Sequence, residues 1–233
     1  VRRVLFTFPL LIILSACGAV SPAAISPTAT RVTPRLRPAR PGTYVALGAS
    51  ETYGIGAQPY TRGYAYRVAH SLGARRFLDL GIPGTTLDAA YQSELTRALA
   101  VRPALCTVFF GVNDLRDGVT RKNFALQLHD LVATLRRGGA HVLIIGMPDL
   151  AQLPVARGIP DAGAISSSWN AAMARDARQT GAGFLDLSRF SRELAAHPSY
   201  VAPDGLHPST SGHARLAQVV LAAIHADHLW PRR

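Results

Sequence analysis

The chain has 233 residues, 48% hydrophobic and 17% charged, which suits one ordinary domain with tails and is too short for two well-cored domains. That balance excludes a disordered chain or a coiled coil. The formal charge of +11 invites nucleic acid as a partner. Eight of the 25 basic residues, however, lie in 1–42 and at 232–233, so residues 43–231 carry 17 against 14 acidic groups, a net of +3. No basic stripe interleaved with aromatics is present there, and nucleic-acid binding is not expected.

Val1 reads as a non-standard start codon translated literally. Arg2 and Arg3 form a basic n-region, and Val4 to Leu14 an apolar stretch of eleven residues. Eleven are too few to span a hydrocarbon core of about 30 Å, so residues 1–16 read as a signal peptide. The string Leu14-Ser15-Ala16-Cys17 resembles the lipobox of bacterial lipoproteins, which implies lipidation at Cys17 and a membrane-anchored, extracytoplasmic protein of the bacterial cell envelope. The alternative is an ordinary secretory signal with an incidental cysteine. Residues 17–42 then form the lipidated cysteine and a tether, with prolines at 22, 27, 34, 38 and 41 and no hydrophobic period, semi-extended at about 3 Å per residue. Its arginines either lie against an anionic membrane, at about 1 kcal/mol each, or are simply solvated.

From Thr43 to the end, apolar runs alternate with helical periods. Strands are expected at 44–47, 77–80, 106–110, 141–145 and 183–187, and helices at about 63–72, 87–99, 123–137, 168–179 and 209–228. Phe124, Leu128, Leu131 and Leu135 mark the third helix, and Gly138-Gly139 stops it. Residues 150–165 read as a long loop whose Leu150, Leu153, Val155 and Ile159 offer an apolar rim. Five strands separated by helices predict an α/β fold, a three-layer α/β/α sandwich around a five-stranded, mainly parallel sheet. Chemistry is then expected at the C-terminal ends of the strands.

Three such ends carry unusual polar groups: Gly48-Ala49-Ser50-Glu51-Thr52, Gly111-Val112-Asn113-Asp114 and Asp204-Gly205-Leu206-His207-Pro208. A serine hydroxyl needs a base to become a nucleophile, and the imidazole of that base needs a carboxylate to fix its tautomer. Asp204 and His207 are three residues apart in a Gly-containing turn, so one loop can present both. Taken singly, Ser50 could be a helix N-cap and Asn113-Asp114 a turn, with Asp114 supporting the loop or capping the next segment. The α/β-hydrolase elbow Gly-x-Ser-x-Gly is absent, because Thr52 stands at its second glycine.

These blocks, together with Gly81-Ile82-Pro83-Gly84, resemble in type and order the four signature blocks of the SGNH (GDSL-type) hydrolases, over about residues 43–229. The resemblance implies a flavodoxin-like sandwich and a serine esterase without cofactor or metal. It implies Ser50 as nucleophile, His207 as base and Asp204 as the orienting acid, with an oxyanion hole from the backbone N–H groups of Ser50 and Gly84 and the amide of Asn113. A glycine at 84 lets backbone approach a reacting carbonyl, and a neutral amide suits an anion that exists only in the transition state. The pattern departs at Ala49, where the family commonly has aspartate. That removes no proton-transfer group but takes hydrogen-bonding capacity from the nucleophile loop.

The remaining readings are bland. Cys106, in an apolar run, is a buried inert thiol, and no Cys/His cluster has zinc spacing. His213 reads as a solvent-facing helix residue, Trp169 and Trp230 as packing, and Tyr53, Tyr60 and Tyr64 as aromatic packing under a loop, with the lining of a pocket near Ser50 as the alternative. The expected function is hydrolysis of acyl or acetyl esters, of small-molecule, lipid or glycan type, through an acyl-enzyme on Ser50 of a monomer. The rivals are an O-acyltransferase acting on surface glycan and a non-catalytic binding lipoprotein, which would show decay of the triad.

Overall fold

Uninterrupted apolar strands need cover on both faces, and the computed structural model supplies it over the residues it describes, 39–231. The expected signal, Cys17 and the tether as far as residue 38 lie outside them. In chain order the elements are β1 (Thr43–Gly48), α1 (Ser50–Tyr53), α2 (Tyr64–Ser71), β2 (Arg76–Asp79), α3 (Leu87–Val101), β3 (Leu105–Phe109) and α4 (Val112–Arg116). They continue with α5 (Arg121–Arg137), β4 (His141–Ile145), α6 (Ala162–Thr180), β5 (Gly183–Leu185), α7 (Ser191–Ala196) and α8 (Thr210–Ala226). All neighbouring strands pair in parallel, in the order β2-β1-β3-β4-β5.

The two-residue period of a strand divides the core. Val45, Leu47, Cys106, Val108, Val142 and Ile144 meet α3, α5 and α6, with Trp169 among them. Tyr44, Ala46, Leu105, Phe109, Leu143 and Ile145 meet α2 and α8, with Trp230. The three-layer α/β sandwich is therefore the one expected. Cys106 is fully buried within it, which pushes its thiol pKa up and leaves it inert. Residues 40–42 already bond to the domain, through Arg40 N–H to Arg102 O and the Gly42 carbonyl to Arg75 and Arg76.

Three details differ from expectation, each for a local reason. Helix α6 starts at Ala162 instead of 168, because Ser166 turns its hydroxyl back onto the carbonyls of Ala162 and Gly163 and stays in the helix. The expected long loop thus shrinks to two single turns, Leu150–Gln152 and Pro154–Ala156. Strand β5 ends at Leu185, since Asp186 Oδ1 accepts from Ser188 N–H and Asn170 Nδ2 and bends the chain out of the sheet. The short helices α1, α4 and α7 complete too little of a helical period to read from pattern.

The chain runs from β1 to β2 on one side and then crosses to β3 on the other. This is the reversal at which open parallel sheets leave a crevice beyond their strand ends. Ser50 follows β1 and Asn113 follows β3, so both border it.

Candidate active site

Gly48 ends β1, and only glycine fits there: a Cβ would lie 2.2 Å from Thr52 Oγ1 and 2.7 Å from Phe109 O. The chain then folds into α1, whose N-cap is Ala49, so Ser50 is its first helical residue and its side chain makes no cap. Its N–H is one of the first in the turn, which have no intrahelical acceptor. The side chain is free for other work. Ser50 Oγ lies 2.9 Å from His207 Nε2 and 3.3 Å from Glu51 Oε2, so the imidazole is the nearer of two acceptors.

The expected base and its carboxylate, His207 and Asp204, come from one tight hairpin. Val201 and Pro208 pair across it, Ala202 N–H bonds His207 O, and Gly205 turns its tip at φ +76°. Asp204 Oδ1 accepts the N–H groups of Leu206 and His207 at 2.9 and 3.0 Å, and Oδ2 meets His207 Nδ1 at 2.7 Å. Burial pushes the Asp204 carboxyl up, but the bonds from His207 and these N–H groups outweigh it and hold it below the usual range. An ionised Asp204 makes Nδ1 the donor and leaves Nε2 an acceptor toward Ser50.

The second and third blocks close on the nucleophile turn. Ile82 N–H donates to Gly48 O, and Gly81 packs so tightly that a Cβ would sit 2.4 Å from Tyr53 N. Gly84 adopts φ +79° with nothing within 4 Å of where a Cβ would stand, so its face of the crevice is open. Asn113 donates one amide hydrogen to Thr85 O at 2.9 Å, which holds it beside Gly84 with a second hydrogen to spare. Asp114 is buried, and its Oδ1 accepts from Leu87 N–H at the start of α3. It joins the third block to the second, the supporting part expected of it.

Two braces were not legible. Glu94, on α3, is fully buried, and its Oε2 accepts the Gly48 N–H at 3.0 Å, bracing the nucleophile loop from below in the chain with Ala49. Burial raises its pKa to about 8 despite that bond, so at neutral pH it is mostly protonated. The second is a correction. His213 is not solvent-facing but fully buried, because α8 turns that face onto α2. Its Nδ1 accepts from Tyr64 N–H at 3.2 Å and its Nε2 donates to Ile55 O at 2.8 Å. It thereby ties the segment after Ser50 to the helix after His207. Burial pushes its pKa down, with the nearby His207 and Arg67 adding to the effect.

The tyrosines also divide. Tyr64 is buried and bonds Thr52, as packing, whereas Tyr53 and Tyr60 stack on each other at the surface with centroids 5.2 Å apart. Leu153 lines a pocket beside His207, while Val155 and Ile159 are exposed.

A parallel sheet with a hydrogen-bonded Ser-His-Asp constellation at its switch point has the arrangement of a hydrolase, and comparison with known proteins gives the class. Residues 46–215 match the model of the GDSL-like lipase/acylhydrolase family, most of the chain, so the protein belongs to that family and is an ester-bond hydrolase. Among solved structures it resembles TesA at 22% identity, covering 79% of this chain and 99% of that one with a TM-score of 0.66. It also resembles the esterase EstA from Pseudoalteromonas sp., at 18% identity, 79% and 97% coverage and a TM-score of 0.64. A catalytic mutant of Axe2, an acetylxylan esterase from Geobacillus stearothermophilus, aligns at 18% identity, 85% and 100% coverage and a TM-score of 0.67. At such identities the likeness is one of fold. No curated protein sequence matches.

Proposed function

We propose that the protein cleaves carboxylic esters through an acyl-enzyme on Ser50, a reading carried by the continuous chain from Ser50 Oγ through His207 to Asp204. Ser50 Oγ attacks the ester carbonyl while its proton passes to His207 Nε2. The negative oxygen of the tetrahedral intermediate lies toward the N–H groups of Ser50 and Gly84 and the free amide hydrogen of Asn113. When the intermediate collapses, the C–O bond to the alcohol breaks and Nε2 returns its proton to the alcohol oxygen. Water then attacks the acyl carbon, giving a proton to Nε2, and Ser50 leaves with that proton as the carboxylic acid is released. Asp204 stays ionised throughout and holds the imidazole. The acetylxylan esterase among the structural neighbours makes acetylated glycan a substrate worth including beside small-molecule esters.

Hydrolysis of p-nitrophenyl esters tests this reading. Ser50→Ala and His207→Ala should each abolish turnover, with the double variant little worse than either, because such residues act as a unit. Roughly additive losses would sink the assignment. Activity should fall on the acid side, since imidazolium cannot take the serine proton. Added acceptor alcohols would separate transfer from hydrolysis. We further propose that a monomer is held outside the cytoplasm by lipid on Cys17, with the residues from 18 to the start of the domain as tether. The support is the basic, apolar and small-residue order ahead of that cysteine.

A further inference from the structure

An apolar pocket of about 100 Å³ adjoins the base. His207 and Glu51, the two residues whose side chains reach Ser50 Oγ, both line it, and Phe109, Leu187, Leu216 and Val219 are its buried walls. Its walls are held firmly. Arg215 on α8 grips Glu193 on α7 through two hydrogen bonds of 2.6 Å, which neutralises both charges, and its guanidinium lies over the Phe190 ring. On the other side α8 packs directly on the turn Pro198–Tyr200, where a Cβ at Gly212 would fall 2.0 Å from Tyr200 O.

Two partners of an ester could use this space, and the reaction separates them. The alcohol must leave and water must enter at the same Nε2, so that route has to stay open. The acyl group remains on Ser50 through both steps and gains from contact with the buried apolar walls. Size then sets its length: a cavity of about 150 Å³ holds the six carbons of benzene, so one of 100 Å³ holds about four. The Glu51 carboxylate, part of the lining and 3.3 Å from Ser50 Oγ, opposes a second negative charge there. We propose that this pocket is the acyl site and selects neutral acyl groups of about two to four carbons, a conclusion that rests on Ser50 being the nucleophile.

The full chain should be assayed on p-nitrophenyl acetate, butanoate, hexanoate, octanoate and hemisuccinate. Each buried methylene should raise kcat/KM by about fourfold from acetate to butanoate. Octanoate should then fall at least tenfold below butanoate, and hemisuccinate should trail butanoate by a similar factor. Val219→Phe fills the depth, so the butanoate-to-acetate ratio should drop about tenfold. Octanoate equal to or better than butanoate would overturn the size limit and leave the nucleophile untouched. An unchanged ratio in folded Val219→Phe would overturn the location. Failure of every ester would count against the catalytic reading, and binding then judges the pocket alone. Ser50→Ala titrated with neutral butanamide should shift the methyl resonances of Leu216 and Val219, and methyls that do not move at high butanamide would refute the pocket as an acyl site.

Discussion

Glu94 allows the sharpest quantitative expectation, because one buried carboxyl has a clear partner, a clear cause of perturbation and an isosteric replacement. Its folded pKa is raised from the ordinary 4.5 to about 8, chiefly by burial, and the negative charge of Asp79 adds to it. A raised carboxyl favours the folded state while protonated in both states, below about pH 4.5. That stability drains as pH rises and is gone above about 8. At about 1.36 kcal/mol per unit, a shift of this size corresponds to roughly 5 kcal/mol, a large share of a typical domain's 5–15 kcal/mol. Glu94→Gln keeps an oxygen for the Gly48 N–H and removes the ionisation. Urea unfolding of both proteins at pH 5, 7 and 9 reads the difference directly. The advantage of glutamine over glutamate should grow by about 3–5 kcal/mol from pH 5 to pH 9. Asp79, itself raised to about 6 by burial, adds a slope of the same sign at lower pH, but it acts in both proteins and largely cancels in the comparison. Glu94→Leu, by contrast, orphans the Gly48 N–H and should cost about 1–3 kcal/mol even at pH 5. Parallel pH profiles for wild type and Glu94→Gln would refute the argument, since they would mean that the carboxyl never holds a proton against solution.

Other sites give simpler expectations. Asn113→Ala removes a donor aimed at transition-state charge, so kcat should fall by about 10²–10³ with KM nearly constant. A rise in KM at constant kcat would make Asn113 a ground-state contact instead. His213 is held neutral below its ordinary value of 6.5, so its contribution is present above that pH and lost as pH falls through the depressed value. His213→Gln, which cannot protonate, should lose less stability than wild type between pH 7 and 5, measured by urea midpoint. Cys17→Ser should lose fatty-acid label and membrane fractionation, whereas wild type found unlabelled and freely released would favour a plain secreted esterase.

The fold was legible because its evidence is periodic and local. Apolar runs such as 141–145 could only be strands buried on both faces, and Phe124, Leu128, Leu131 and Leu135 could only be one face of a helix. The polar blocks were legible for a related reason, since each sits at a strand end where a fold of this kind exposes its loops. Helix starts failed where a side chain decided the matter: three serines in a row look like loop until Ser166 is seen bonded inside its own helix. Glu94 and His213 were illegible for a deeper reason. Each is one polar residue on an otherwise ordinary helix, 46 and 158 residues from the group it holds, and nothing near it in the chain reports that partner. The braces of a loop come from whatever packs beneath it, so the blocks can name the groups placed for chemistry but not the groups that keep them in place. In this protein alanine at position 49 pointed to a loop short of side-chain hydrogen bonds, and one that it does make, from the Gly48 N–H to Glu94, reaches across to α3.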